Sequence, residues 1–368
     1  MPTLKSRSTA LVLALYLLSL TSAWAQSQPP PPKPIDAAAQ RDVIESLNKQ
    51  LQSNYIFPDV AHELSKKLLA KQSSRGYAAA TDAQSFAKAL AGDLREMGKD
   101  GHFQVGYAPD FRAGPSLGGA PTAAQVEEAR KEIAAHGFGI ERAERLPGNV
   151  GYLDIRGFGP TEHVGEAITA AMRLLSGTSA MIIDLRRNGG GEPNSVAHLM
   201  SHFFAQGDER HLNDIYTRPN DRTRQYWTNP AVPVRYSKPV YVLISARTFS
   251  GGEECAYDFQ TQKRAILVGE VTGGGANPGE GFALAQGFAA FIPTGKAINP
   301  VTGGNWEHVG VKPDVAVPAA DALKFAHTAI LRSLVADSKD PGELEWLKDM
   351  LAAVESGVVA PVDYSRMR

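Results

Sequence analysis

Residues Val240–Ile244 form an unbroken apolar run of β-branched and aromatic side chains. With no polar alternation, such a run is the pattern of a strand buried on both faces. A turn follows, and Glu253 to Gln262 then reads as helical. Ser250 therefore stands where a buried strand hands over to a helix N-terminus. Gly251 and Gly252 come next and allow the backbone to approach a ligand closely. Unpaired N–H groups at the helix start carry partial positive charge and would stabilise an oxyanion there. A serine nucleophile is presented in this way. The other use of the same residues is an N-cap, with Ser250 and Glu253 as a capping box.

Patterning places this junction inside an α/β core. From Phe138 onward, strand and helix signals alternate: Val150–Ile155, Glu162–Leu175, Ala180–Leu185, Pro193–Phe204, the Val240 strand, the Ser250 helix and Ala265–Gly269. Phe282–Ile292, Lys296–Ile298 and Trp306–Val309 read as hairpin strands, and Asp321–Ala336 and Glu343–Val354 as closing helices. Ahead of the core, stripes of Val43, Leu47 and Leu51, of Val60, Leu64 and Leu68, and of Phe86, Leu90, Leu94 and Met97 predict three amphipathic helices. Thr81 with Gln84 is the expected capping box of the third, and Gly98 its end.

The first residues look like an address. Lys5 and Arg7 precede the apolar run Ala10–Leu20, and Ala23-Trp24-Ala25 fits the small-x-small cleavage rule. The expectation is a secretory signal peptide over 1–25 and a periplasmic or secreted protein. No cysteine follows the cleavage point, so no lipid anchor is expected, and no later segment has the length and apolarity of a membrane span. The remaining boundaries are a proline-rich tether over 26–35, a helical domain over 36–100, the α/β core over 101–338 and a C-terminal helical segment over 339–368. A net charge of −1 with no basic tract argues against a nucleic-acid partner. The single cysteine, Cys255, excludes an internal disulfide and a cysteine zinc site, and reads as a small buried side chain.

A serine nucleophile needs a base, a group to orient it, and an oxyanion hole. Asn188-Gly189-Gly190-Gly191, after the strand ending near Leu185, can present N–H groups to an anion. No Walker lysine accompanies it to support phosphate binding, and a structural turn is the remaining alternative. Among nine histidines, His198 and His202 share a helix face without the glutamate of a zinc-protease motif, and read as helix-surface residues. No metal or cofactor is expected. His102, in Asp100-Gly101-His102, and His308, in Trp306-Glu307-His308-Val309-Gly310, lie in glycine-rich junctions where function concentrates. Spacing does not choose between them.

Four segments occur in order: Ile183-Asp184-Leu185-Arg186-Arg187-Asn188-Gly189-Gly190-Gly191, Thr248-Phe249-Ser250-Gly251-Gly252-Glu253, Val268-Gly269-Glu270-Val271-Thr272-Gly273-Gly274 and Gly310-Val311-Lys312-Pro313-Asp314. Together they resemble the core of the S41 serine peptidases, which include C-terminal processing proteases, tricorn core proteases and the interphotoreceptor retinoid-binding protein. Asn54-Tyr55-Ile56-Phe57-Pro58 and Asp100-Gly101-His102 are similar to the retinoid-binding branch. The resemblance implies a ClpP/crotonase-like α/β core and a peptide or protein substrate. It also implies Ser250 as nucleophile, with the N–H groups of Gly251 and Gly190 as oxyanion donors. Where processing members carry a lysine base this chain has Gly275, and it has no room for their PDZ domain. Tricorn-like members instead imply His102 as base and Glu307 as its partner, although Gly101 replaces their neighbouring serine. The retinoid-binding branch implies an alternative, a non-catalytic carrier of retinoid-like or fatty-acid ligands.

Overall fold

The computed structural model describes residues 33–111 and 123–357. The signal peptide expected over 1–25, most of the tether and the end of the C-terminal segment lie outside these residues. In chain order the helices are α1 (Ala37–Asn54), α2 (Pro58–Ser73), α3 (Ala83–Gly98), α4 (Ala123–Ala135), α5 (Thr161–Leu175), α6 (Pro193–Ser201), α7 (Gly251–Thr261), α8 (Ala322–Asp337) and α9 (Pro341–Ser356). The strands are β1 (Gln104–Tyr107), β2 (Ile140–Leu146), β3 (Val150–Ile155), β4 (Ala180–Asp184), β5 (His211–Thr217) and β6 (Arg222–Trp227). They continue as β7 (Val240–Ile244), β8 (Ile266–Gly269), β9 (Gly279–Ala283), β10 (Phe288–Pro293), β11 (Gly295–Ile298) and β12 (Val315–Ala316).

The chain forms two compact units. The first takes residues up to Ala135, Leu212–Tyr226 and Gly274–Val309. Its helices begin where the sequence supplies caps: Asp36 accepts the Ala39 N–H at 2.8 Å, and Pro58 opens α2. The third helix starts one residue later than expected. Asp82, not Thr81, accepts the N–H groups of Gln84 and Ser85, aspartate being the stronger cap. The three predicted stripes bury Val43, Leu47, Leu51, Leu64, Leu68, Phe86, Leu90 and Leu94 in one core with Phe282, Phe288 and Ile292. Each such side chain contributes roughly 1.5–3 kcal/mol relative to exposure. Two antiparallel sheets complete the unit, ordered β1-β10-β9 and β11-β5-β6. The hairpin expected after Phe282 is thus packed on the N-terminal helices, not on the α/β core. Residues 306–309 are a turn instead of a strand, because His308 has φ 63° and the Trp306 indole donates to the Gly275 carbonyl at 2.7 Å.

The second unit holds His136–His211, Trp227–Gly273 and the chain from Gly310. Its sheet has the order β12-β8-β7-β4-β3-β2, parallel except for the β2 edge. Alternation of strand and helix dictates this, since each parallel connection needs a crossover. The residues of β3 and β4 are all buried, Asp154 and Asp184 included. One face packs Ile182, Leu243 and Val268 against Ala326, Ile330 and Leu331 of α8 and Leu347 of α9. Helix α6 packs against both α5 and α7. His202 at its end is therefore buried, with Nδ1 2.8 Å from the Val234 carbonyl oxygen, and His198 Nε2 lies 3.0 Å from the Gly165 carbonyl oxygen. Both were expected on a helix surface; His202 is interior and His198 half-buried because the helix is covered on more than one side.

Candidate active site

Strands β4 and β7 are neighbours, with Asp184 opposite Leu243. The loops that leave their carboxyl ends, 185–192 and 245–250, therefore run side by side, the usual place for a site in a parallel sheet. Ser245 Oγ donates to the Arg186 carbonyl at 2.6 Å, and Thr248 Oγ1 to the Leu185 carbonyl at 2.7 Å. Deeper in the same strand ends, Asp184 pairs with Arg186 and accepts the Tyr152 hydroxyl at 2.7 Å. Burial works to raise the Asp184 carboxyl, but the hydrogen bonds from Arg186 and Tyr152 outweigh it and hold the group below its ordinary range.

Ser250 occupies the junction of loop and helix with φ 51° and ψ −122°. Its N–H donates to Glu253 Oε2 at 2.9 Å. The fully buried Glu253 accepts the Thr272 hydroxyl on its other oxygen, and that hydroxyl accepts the Val311 N–H at 2.6 Å. Three of the sequence motifs thus meet around one carboxylate. The fourth is built on Asn188, which is fully buried. Its amide donates to the Ile155 carbonyl at 3.0 Å, its side-chain oxygen accepts the Gly190 N–H at 2.8 Å, and its own carbonyl accepts the Phe249 N–H at 3.0 Å.

Gly190 lies against the serine. A Cβ on Gly190 would come 2.8 Å from Ser250 Cβ and 2.9 Å from the Gly251 nitrogen, and its φ is 110°. Its N–H, expected to face an oxyanion, donates to Asn188 Oδ1. Gly191 differs. The bridge between Phe158 and Gly191 uses the Gly190 carbonyl and the Glu192 N–H, not the N–H of Gly191. Gly191 is exposed, and a Cβ on Gly251 would stand 3.0 Å from its nitrogen. The role of Asn188 was hidden in the sequence, where it read only as the start of a glycine loop.

His102 and Glu307 belong to the first unit. Asp100 Oδ1 accepts the His102 backbone N–H at 3.0 Å and lies 3.4 Å from the ring Nδ1. Asp100 Oδ2 accepts from Asn277 Nδ2 at 3.0 Å and from the Tyr55 hydroxyl at 3.4 Å. Glu307 Oε2 accepts the Ala276 N–H at 2.5 Å, and Oε1 lies 3.4 Å from Nδ1 of His308. The Tyr55 hydroxyl is pushed well above its ordinary range by burial and by the charges of Asp100 and Glu307. His102 is buried, whereas the His308 side chain is 55% exposed. Cys255 is buried, and burial raises its thiol well above the ordinary value, which keeps it unreactive. Among the described residues no group of acidic, histidine and cysteine side chains could hold a metal ion.

Known proteins carry the same elements. Residues 149–317 match the peptidase family S41, and residues 37–141 match the N-terminal domain of Peptidase_S41 in eukaryotic IRBP. The chloroplastic carboxyl-terminal-processing peptidase 1 of Arabidopsis thaliana is 27% identical over 192 residues, covering 51% of this chain and 37% of that protein. The carboxy-terminal processing protease CtpB of Bacillus subtilis is 27% identical over 176 residues, covering 47% of this chain and 35% of that protein. This chain thus spans little more than a third of the length of these relatives. The crystal structure of mature CPAF superposes with a TM-score of 0.54 at 14% identity, covering 81% of this chain and 98% of that one, a likeness of fold. With the two profiles lying end to end over the helical region and the sheet that presents Ser250, the chain belongs to peptidase family S41.

Proposed function

We propose that this protein is an exported serine peptidase in which Ser250 is the nucleophile and His102 the general base. The observation that carries the reading is the backbone of Ser250, a non-glycine residue at φ 51° and ψ −122° between a buried strand and a helix. Strain of this kind costs on the order of 1–3 kcal/mol and persists where the surroundings enforce it. An N-cap serine ordinarily has extended dihedrals, so capping alone does not call for this conformation.

In the proposed reaction Ser250 Oγ attacks the carbonyl carbon of the substrate while His102 takes its proton. The tetrahedral oxyanion accepts hydrogen bonds from the N–H groups of Gly251 and Gly191. Gly191 replaces Gly190 in this role because the Gly190 N–H is bound to Asn188. His102 then protonates the leaving amine, and water repeats the sequence to release the acyl group. Glu307 adds negative charge that favours the imidazolium. Gly275 stands where processing members carry lysine, so the base is a histidine. The leader over 1–25 supports export, and family membership supports a peptide or protein substrate.

The test is covalent labelling with a fluorophosphonate probe, followed by mass spectrometry of a peptide library incubated with the mature protein and with Ser250→Ala. The expected result is a single adduct on Ser250 and cleavage products that vanish in the variant. Labelling that survives in Ser250→Ala removes the serine from the mechanism. An adduct without peptide products turns the reading to ester cleavage, and no adduct at all turns it to a ligand carrier.

A further inference from the structure

We propose that Asp100 is a positioning residue that fixes the ring of His102 in the tautomer a base requires, an inference that rests on His102 being the base of the preceding reading. The Asp100 side chain is wholly inaccessible, and every contact it makes serves to hold it. Asn277 Nδ2, 177 residues further along, donates to Oδ2 at 3.0 Å, and Tyr55 donates to the same oxygen from the end of α1 at 3.4 Å. Both donors are themselves buried. Oδ1 is left facing His102, taking its backbone N–H at 3.0 Å and standing 3.4 Å from Nδ1. A buried carboxylate is tolerable only when paired and hydrogen-bonded in this way.

The chemistry follows from the inventory of an imidazole. A neutral ring has one N–H and one lone pair. A carboxylate beside Nδ1 favours the proton there and puts the lone pair on Nε2, the nitrogen that then accepts a proton. When Nε2 becomes protonated, the same carboxylate opposes the new positive charge at short range. Tyr55 also packs on Phe103 with ring centroids 4.8 Å apart, so the residue after the histidine is held by the group that holds Asp100. In the same unit the charge of Glu307 acts on the Tyr55 hydroxyl, His308 stands beside Glu307, and Arg218 donates to the Tyr55 carbonyl at 2.7 Å. The Tyr55 hydroxyl stays protonated, as a donor to Asp100 must.

Asp100 also shapes a turn, its Oδ1 accepting an N–H two residues ahead. In Asp100→Asn the donors Asn277 and Tyr55 hold the amide oxygen in the place of Oδ2, so the NH₂ group takes the place of Oδ1 beside Nδ1 and gives up the turn hydrogen bond. A donor there draws the ring toward the Nε2–H tautomer, a readout that loss of the turn alone would not move; in a worked serine-protease case this wrong tautomer lowers the rate about 10⁴-fold.

The experiment uses the full mature chain labelled with ¹⁵N-histidine, with His102 assigned through His102→Gln. Long-range ¹H–¹⁵N spectra report the tautomer, and the rate of fluorophosphonate labelling reports nucleophile activation. The expected wild-type ring is Nδ1–H, shifting toward Nε2–H in Asp100→Asn with a fall in labelling rate of about 10²-fold or more. Tyr55→Phe and Asn277→Ala, which loosen the carboxylate without removing it, are expected to give mixed tautomers and smaller falls. A wild-type Nε2–H ring overturns the proposal without recourse to any variant. An Asp100→Asn protein with the wild-type tautomer, or with the wild-type labelling rate, overturns it as well. If the tautomer shifts as expected while Ser250→Ala still labels, the serine reading fails and the positioning of His102 by Asp100 stands.

Discussion

The Thr272 hydroxyl donates to Glu253 Oε1 at 2.5 Å, and through this bond the loop after β8 is fastened to the turn that presents Ser250. The other oxygen of Glu253 holds the Ser250 N–H at 2.9 Å. A dihedral pair unfavourable for serine is thus maintained by a buried acid that bonds on both sides. This explains why the Val-Thr-Gly segment, distant from Ser250 in sequence, belongs to the same constellation.

Glu253→Ala is expected to leave the Ser250 N–H and the Thr272 hydroxyl without their acceptor. Each unsatisfied buried group costs about 1–3 kcal/mol, so the unfolding free energy falls by roughly 2–6 kcal/mol. Relaxation of Ser250 toward ordinary dihedrals should also abolish probe labelling. Urea unfolding of both proteins checks the first expectation, and a variant as stable and as reactive as wild type would contradict both.

Gly190→Ala places a methyl group 2.8 Å from Ser250 Cβ and 2.9 Å from the Gly251 nitrogen. Misplacing an oxyanion donor costs about 10²–10³ in rate, and this is the expected fall in labelling. Circular dichroism should show the helices and sheet intact. A variant that labels at the wild-type rate would show that Gly190 tolerates a side chain beside the serine.

His202 makes stability depend on pH. Burial lowers its pKa to about 4 from the ordinary histidine value, and burial lowers His198 and His327 as well. The unfolded chain therefore binds more protons than the folded one between about pH 6.5 and 4, and stability falls as pH falls through that window. From His202 alone the loss between pH 7 and pH 5 is about 2 kcal/mol. His202→Asn should flatten the dependence, read as denaturation midpoints at the two pH values. An unchanged slope in the variant would assign the effect to other groups.

Glu307→Gln keeps an acceptor for the Ala276 N–H while removing a charge near Tyr55. The loop should stay folded. The expected fall in labelling rate is about tenfold, equivalent to 1.4 kcal/mol, and smaller than that of Asp100→Asn. Steady labelling kinetics on the two variants decide the order, and the reverse order would give Glu307 the larger share.

Local pattern was enough to place most elements. The Val240–Ile244 run specifies a two-faced strand wherever it lies, and the apolar stripes of α1, α2 and α3 specify which helix faces are buried. Ser250 was legible because strand, turn and helix signals follow one another along a few residues. Fold class and the candidate serine were therefore written in short-range order. The remaining facts depend on which distant groups meet. No periodicity shows that Gly274–Val309 joins the N-terminal helices, or that α6 is covered on more than one side so that His202 is interior. The Gly190 N–H was expected to be available because a glycine loop leaves such groups open; Asn188, two residues earlier, accepts it in the folded chain. Asp100 was visible only as part of a motif, while its partner Asn277 arrives from 177 residues away. Sequence fixes the donors and acceptors each segment owns. Tertiary structure decides which are satisfied internally and which remain for chemistry, because a hydrogen bond is made by proximity and direction, and only the folded chain supplies those.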